Sequence, residues 1–292
     1  MRNFILGTDW WTDCDDAVAV RLLARAHKNQ EVRLLGIAIN ACMPYSVPSL
    51  QGFLRKEGVE IPLSIDRRAV DYDGQPPYQK RLAAHASPGV SNEGAEDALR
   101  MYRRLLASAE EKVEILEIGF LQVLSALLMS EGDDISPKSG LELLREKVSR
   151  FWVMAGKWDQ DGEKEHNFAL TPKSRRAGRI FCELCPVPVT FLGWEVGYGV
   201  LTGGGLSHED PLWQVLKDHG SEGGRDSWDP MLALLALVGD VSAAGYRTVS
   251  GFASVEEETG ANHFKEGEGP HTYVVKEKPD AYYAEEINRR IR

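Results

Sequence analysis

Cysteine is scarce in this chain: four residues among 292, Cys14, Cys42, Cys182 and Cys185. That is too few for a disulfide scaffold at this length. Cys182-Glu-Leu-Cys185 has CxxC spacing but closes a helical pattern and has no second pair, so buried thiols are expected rather than zinc or redox chemistry. Positive charge is also short. A formal net charge of −10 argues against an electrostatic nucleic-acid partner. No apolar run approaches the roughly 20 residues of a membrane helix, so no membrane partner is expected. The first residues carry no basic stretch followed by an apolar one and run straight into a strand pattern. No secretory signal is therefore expected, and the reading places the protein in the cytoplasm. Internal repeats and low-complexity segments are absent. The glycine cluster Gly203-Gly204-Gly205 lacks the Lys-Ser/Thr of a phosphate loop and reads as a turn.

What is present is concentrated near the start, in Asn3 to Val20, NFILGTDWWTDCDDAVAV. An apolar run (Phe4, Ile5, Leu6) ends at Gly7-Thr8; four carboxylates follow, Asp9, Asp13, Asp15 and Asp16, and then helix formers from Ala17 to Ala26. In an open α/β sheet, the loop beyond a strand's carboxyl end is where ligands bind. Carboxylates packed this closely raise one another's pKa values, and a hard cation such as Ca²⁺ or Mg²⁺ relieves them. One Asp would suffice to cap the helix; four call for more.

Buried-strand patterns recur at Val32–Ile39, Ile61–Ile65, Val113–Ile118, Phe151–Met154 and Val187–Leu192. Helical patterns fall between and around them at Ser49–Gly58, Glu93–Ser108, Val123–Met129, Leu141–Lys147, Pro172–Leu184 and Pro230–Val238. The alternation implies an α/β fold with a mostly parallel, Rossmann-like central sheet and helices on both faces. Residues 66–92 read as a long loop near the active site, and 246–275 as a terminal β-hairpin. Composition marks no boundary, so residues 1–292 are read as a single domain.

Five segments in order resemble the nucleoside hydrolases, the inosine-uridine-preferring N-ribohydrolase family. They are Asp9 to Ala17, Gly119-Phe120-Leu121-Gln122, Met154-Ala155-Gly156, Glu165-His166-Asn167-Phe168 and Trp228-Asp229-Pro230. The resemblance spans Asn3 to about Leu237 and implies a divergent member with a longer acidic first loop. It implies Ca²⁺-dependent hydrolysis of the N-glycosidic bond of ribonucleosides. Asp9 would be metal ligand and general base, Asp16 and Asp229 metal ligands, and the Gln122 main-chain carbonyl a further ligand. Asp15, Glu165 and Asn167 would hold the ribose, with Met154 and Trp228 beside it. Asn40, at the end of the second strand, joins the substrate-binding set by position, and so does His85, in the loop where a family lid falls. The partner would be a small riboside, and the assembly, by analogy, a homodimer or homotetramer.

Departures from the family pattern are specific. Gly7 stands where the family has an Asp two positions before its base, and Trp10-Trp11 replaces Pro-Gly. Counted back from Asp15-Asp16, the base falls on Trp11, which leaves Asp13 as a competitor to Asp9. The family's Asn and His near the end of the second strand fail to appear, and Trp228 stands where a His precedes the late Asp. The acid that protonates the leaving base is not identified. Trp10, Trp11, Trp158, Trp194 and Trp228 lie near strand ends; most are expected to pack and one to face the base. His166, where the family has an apolar residue, reads as structural. Two other readings remain: a haloacid-dehalogenase-type phosphatase using Asp13-Cys14-Asp15, and a Ca²⁺- or riboside-binding protein that has lost catalysis.

Overall fold

The computed structural model describes residues 1–292. The apolar runs become strands β1 (Arg2–Thr8), β2 (Val32–Ile39), β3 (Leu63–Ile65), β4 (Glu96–Asp97), β5 (Val113–Glu117), β6 (Val148–Met154) and β7 (Val189–Leu192). A separate small ribbon pairs β8 (Leu201–Thr202) with β9 (Arg225–Asp226). The chain then forms β10 (Tyr246–Val255), β11 (Asn262–Glu266) and β12 (His271–Lys276). Ten strands make one sheet in the order β11-β10-β12-β7-β6-β5-β1-β2-β3-β4. From β12 to β4 every neighbour is parallel; only β10 runs the other way, between β11 and β12.

Helices cover both faces, and β1 shows why it reads as a continuous apolar run. Phe4 and Leu6 enter one core cluster with helices Asp15–Lys28 and Trp228–Val238, while Ile5, pointing the other way, enters the cluster of helices Ala98–Ser108 and Pro172–Leu184. Successive side chains of a strand alternate faces, so a strand covered on both must be apolar at every position. The 14-residue helix Asp15–Lys28 packs along Trp228–Val238, which brings the acidic loop and Asp229 to one end of the sheet.

Two expectations shift, and one helix is added. Residues 246–275 form three strands joined to the parallel sheet through β12 and β7, not a free hairpin. The helix expected from Glu93 begins at Ala98, because Asp97 caps it by accepting from the Arg100 N–H at 3.2 Å, and Glu96 and Asp97 pair with β3. A further helix, Asp280–Ile291, closes the chain and buries Tyr283, Ile287 and Ile291. Residues 66–92 are loop except for the short helix Gln79–Ala83. All four cysteines are free; burial pushes the Cys185 thiol up to about 12. No helix is long and apolar enough to cross a membrane.

Candidate active site

The acidic loop leaves β1 at Thr8 and turns sharply at Trp10, whose φ of 47° is left-handed although it is not glycine. A conformation of this cost persists only where the surroundings hold it. Here the Trp10 indole is fully buried between Phe53 and Tyr78 and donates to the Ser49 hydroxyl at 2.8 Å, while its carbonyl accepts from Gln79 Nε2 at 2.6 Å. Tyr78 donates its hydroxyl to the carbonyls of Trp11 and Asp13, both at 2.8 Å. The loop is thereby tied to core residues on helices Ser46–Glu57 and Gln79–Ala83.

This anchoring places four carboxylates together. Asp15 and Asp16 open the helix Asp15–Lys28, and Asp229 stands at the start of Trp228–Val238. Their carboxylate oxygens lie within 4.8 Å of one another, and all three residues are buried. Asp16 accepts from the Thr8 hydroxyl and from the Trp10 N–H at 3.2 Å; Asp15 accepts from the Asp229 N–H at 3.1 Å. Asp9, at the strand end, accepts from the Trp11 N–H at 3.3 Å. No basic side chain pairs with any of these four, so burial, reinforced by the neighbouring carboxylates, pushes all of them up, Asp9 to about 8. Desolvation and like charge both disfavour the ionised form. A divalent cation would reverse both effects, and buried oxygen donors with no counter-charge fit a hard one.

Asp13 behaves differently. Burial acts to raise it, but Arg225 from β9 outweighs burial with two hydrogen bonds of 2.9 and 2.6 Å and holds the carboxyl below its usual range. Arg225 also lies over the Trp228 ring, 5.1 Å from its centre. His219 sits beside the pair, Nε2 at 3.9 Å from Asp13 and Nδ1 at 2.8 Å from the Ser221 hydroxyl. Asp13, Cys14 and His219 have donor atoms that could meet around a metal ion, but Arg225 already neutralises the carboxylate there.

Above the carboxylates is a cavity of about 330 Å³ at the carboxyl ends of the central strands, where ligands bind in open α/β sheets. It is lined by Asp9, Asp13, Asp15, Asp16 and Asp229 from the two acidic segments and by Met154, Glu165 and Asn167 from the end of β6 and the turn that follows. Glu165 accepts from the N–H groups of Asn167 and Gly156, both at 2.9 Å, and burial raises it to about 7. Asn167 donates to the Met154 carbonyl at 2.9 Å. The aromatic walls are Trp11, stacked on His166 with ring centres 5.9 Å apart, and Trp194 with Trp228, 6.2 Å apart.

Thus Asp9, Asp13, Asp15, Asp16, Met154, Glu165, Asn167, Trp228 and Asp229 share one cavity. Asn40, Gln122 and His85 are not among its lining residues. Asn40 lies beneath, donating to Glu117 at 2.8 Å and accepting from the Phe120 N–H at 3.0 Å. Gln122 donates its amide to the Asn40 carbonyl at 2.6 Å and the Tyr72 hydroxyl at 2.7 Å, and its own carbonyl accepts from the Ser125 hydroxyl at 3.0 Å. His85 is exposed beyond helix Gln79–Ala83, where its carbonyl accepts from Arg55 at 3.2 Å; residues 66–92 do not bring it over the cavity. Asp15, expected at the ribose, converges with Asp16 and Asp229. Trp10 and Trp158 pack, whereas Trp11, Trp194 and Trp228 face the cavity. Arg225 and His219 were not singled out by the sequence, and His166, read there as structural, lines the wall.

The floor shows how Gly7 is used. A Cβ at Gly7 would lie 2.0 Å from Oε2 of the fully buried Glu117, so the β5 carboxyl fills the space a side chain at position 7 would take. Glu117 Oε1 accepts from Asn40 and from the Gly119 N–H at 3.0 Å, while Oε2 has no partner. Burial raises this group to about 8.

The fold is that of the nucleoside hydrolases. A purine-preferring ribonucleoside hydrolase from Gardnerella vaginalis superposes with a TM-score of 0.74 at 15% identity, covering 99% of this chain and 98% of its own. The inosine-uridine-preferring nucleoside hydrolase of Bacillus anthracis gives a TM-score of 0.70 at 16% identity, covering 100% and 99%. The type III effector protein XopQ, solved with adenosine diphosphate ribose, gives 0.70 at 15% identity over 99% and 92%. No protein-family model and no curated protein matches the sequence.

Proposed function

We propose that this protein hydrolyses the N-glycosidic bond of ribosides, releasing ribose and a free base, with a divalent metal ion, Ca²⁺, held by Asp15, Asp16 and Asp229. The observation that carries the reading is the set of three buried, unpaired carboxylates with Asp9 beside them under an aromatic-walled cavity. The bound ion would supply a water of lowered pKa and a charge to orient hydroxyls. Asp9, at the strand end beside the three and bound by one backbone N–H, takes the water's proton. Asn167 keeps its carbonyl oxygen for a ribose hydroxyl because its amide is committed to Met154. Glu165, bound to two N–H groups, fixes the turn that presents Asn167.

The ion pair of Asp13 with Arg225 speaks against Asp13 as the base and against a phosphatase nucleophile there. A second reading, recognition of a ribose carried by a diphosphate, has support in Arg225 and His219 on the cavity wall and in the adenosine diphosphate ribose held by one protein of the same fold. The test is a reducing-sugar assay on purine and pyrimidine ribosides and adenosine diphosphate ribose, with and without EDTA. Release of sugar that EDTA abolishes and Ca²⁺ restores supports the reading. Tight Ca²⁺ binding with no release from any riboside rejects it and leaves a binding protein. On the proposed reading, Ca²⁺ at a hundredfold excess over its Kd adds about 2.7 kcal/mol of stability, checked as a rise in Tm.

A further inference from the structure

We propose that His166 is the proton donor to the departing base, an assignment that rests on the riboside-hydrolase reading of the same cavity. Cleavage of a C1′–N bond sends its electron pair to the base, and a base that leaves as an anion leaves slowly unless a neighbouring acid protonates it. The cavity must therefore present a side chain that can carry a proton and is free to give it to a ligand.

Most polar groups on the wall are already committed. Asp13 is bound to Arg225 through both oxygens, and Glu165 holds two backbone N–H groups. Asp15, Asp16 and Asp229 converge on one another, and Asp9 is assigned to the water. His219 bonds Ser221 through Nδ1 and turns Nε2 toward Asp13. His166 differs from all of these. It lines the cavity, and its ring lies 28° from the plane of Trp11 and 35° from that of Phe120, with centres 5.9 and 5.7 Å away. No protein group hydrogen-bonds to either ring nitrogen; burial lowers the proton affinity of the ring, and the more distant Asp13 acts the other way without outweighing it.

The backbone reinforces the placement. His166 lies between Glu165 and Asn167, both pinned to the end of β6, so the imidazole comes from the segment expected to meet the sugar. The balance of the step is simple. Water oxygen bonds to C1′ and its proton goes to Asp9; the C1′–N bond breaks and a ring nitrogen of the base takes the proton of the His166 imidazolium. Exchange with solvent then discharges Asp9 and recharges His166.

The test compares two leaving groups. The His166→Phe variant keeps a ring against Trp11 but carries no proton, and His166→Gln tests a second geometry; unchanged Tm and Ca²⁺ affinity establish that each is folded. With inosine, whose base needs protonation, kcat/KM is expected to fall by roughly 10²- to 10⁴-fold. With p-nitrophenyl β-D-ribofuranoside, whose phenolate leaves without help, it should fall by less than about fivefold. Equal losses on both substrates, or no loss on either, overturn the assignment, as does the same substrate difference appearing in His219→Gln instead. A wild-type protein that cleaves the nitrophenyl riboside but no nucleoside also overturns it. A wild type that cleaves neither rejects the hydrolase reading itself, which the wild-type arm shows before any variant is made.

Discussion

The helix Asp15–Lys28 buries charge twice, and the two regions are built on opposite principles. Near its middle, Arg21 is 1% exposed and fully answered: Glu57 at 2.6 Å, Asp210 at 2.6 and 2.9 Å, and the Ile291 carbonyl at 3.2 Å. At its start, Asp15 and Asp16 face Asp9 and Asp229 with no cation at all. Breaking a buried pair is strongly destabilising, so the first region ties three helices together. The second lowers stability while no ion is bound, and structure of that kind is found where function requires it. The contrast within the acidic loop is sharper still. Asp13, given Arg225, is held low; Asp9, four residues earlier and unpaired, rises to about 8. A counter-ion supplied by the chain makes a carboxylate structural; one withheld leaves it for a ligand.

The largest test of this comparison is Asp9→Asn. Removing the proposed base should lower kcat on ribosides by roughly 10²- to 10⁴-fold, while the Tm of the metal-free protein stays level or rises because one repelling group is gone. A fall in Tm with activity retained would reverse the roles of the two regions. Next is Glu57→Ala, which strips Arg21 of one partner. It should cost about 3–5 kcal/mol in urea unfolding and leave kcat unchanged. Smaller again is the pH dependence carried by Glu117. Its folded value, about 8, lies above its ordinary 4.5, so folding favours the protonated form. Its contribution is whole below about 4.5 and is lost as pH rises through 8, a change on the order of a few kcal/mol. Glu117→Gln should flatten that part of the stability profile; a profile equally steep in the variant would show that another group carries it.

Much of this was legible in the sequence where one element obeys one rule. Helix Pro172–Leu184 starts and stops as expected, because Thr171 caps it, with Ser174 bonding back, and Pro172 opens it. Strand β2 was readable because burial on both faces leaves an almost unbroken apolar run. The acidic segments came together because the helices that carry them, Asp15–Lys28 and Trp228–Val238, pack along each other. What escaped depends on partners far apart in the chain. Arg225 meets Asp13 across 212 positions, and neither has a local pattern that announces the other. Strand β10 is half exposed with interrupted alternation, so its place in the sheet was hidden behind a hairpin reading. The final helix did carry a signal, Tyr283, Ile287 and Ile291 at fourfold spacing, but few apolar residues besides. His166 was read as structural, and its place on the cavity wall was hidden, because a side chain's surroundings are a property of the fold and not of the motif.

The Trp10 turn has a consequence for how the metal would come and go. Its indole, carbonyl and left-handed backbone are all fixed by the interior, through Phe53, Tyr78, Ser49 and Gln79. Loosening the turn at Trp10 therefore requires disturbing the packing of the protein's interior. Loading and unloading the ion should then be limited by passage through the aromatic mouth and not by reshaping of the carboxylates. Amide exchange at Trp10, whose N–H is bound by Thr8 and Asp16, should be slow with or without Ca²⁺, and the turn should keep one shape in both states.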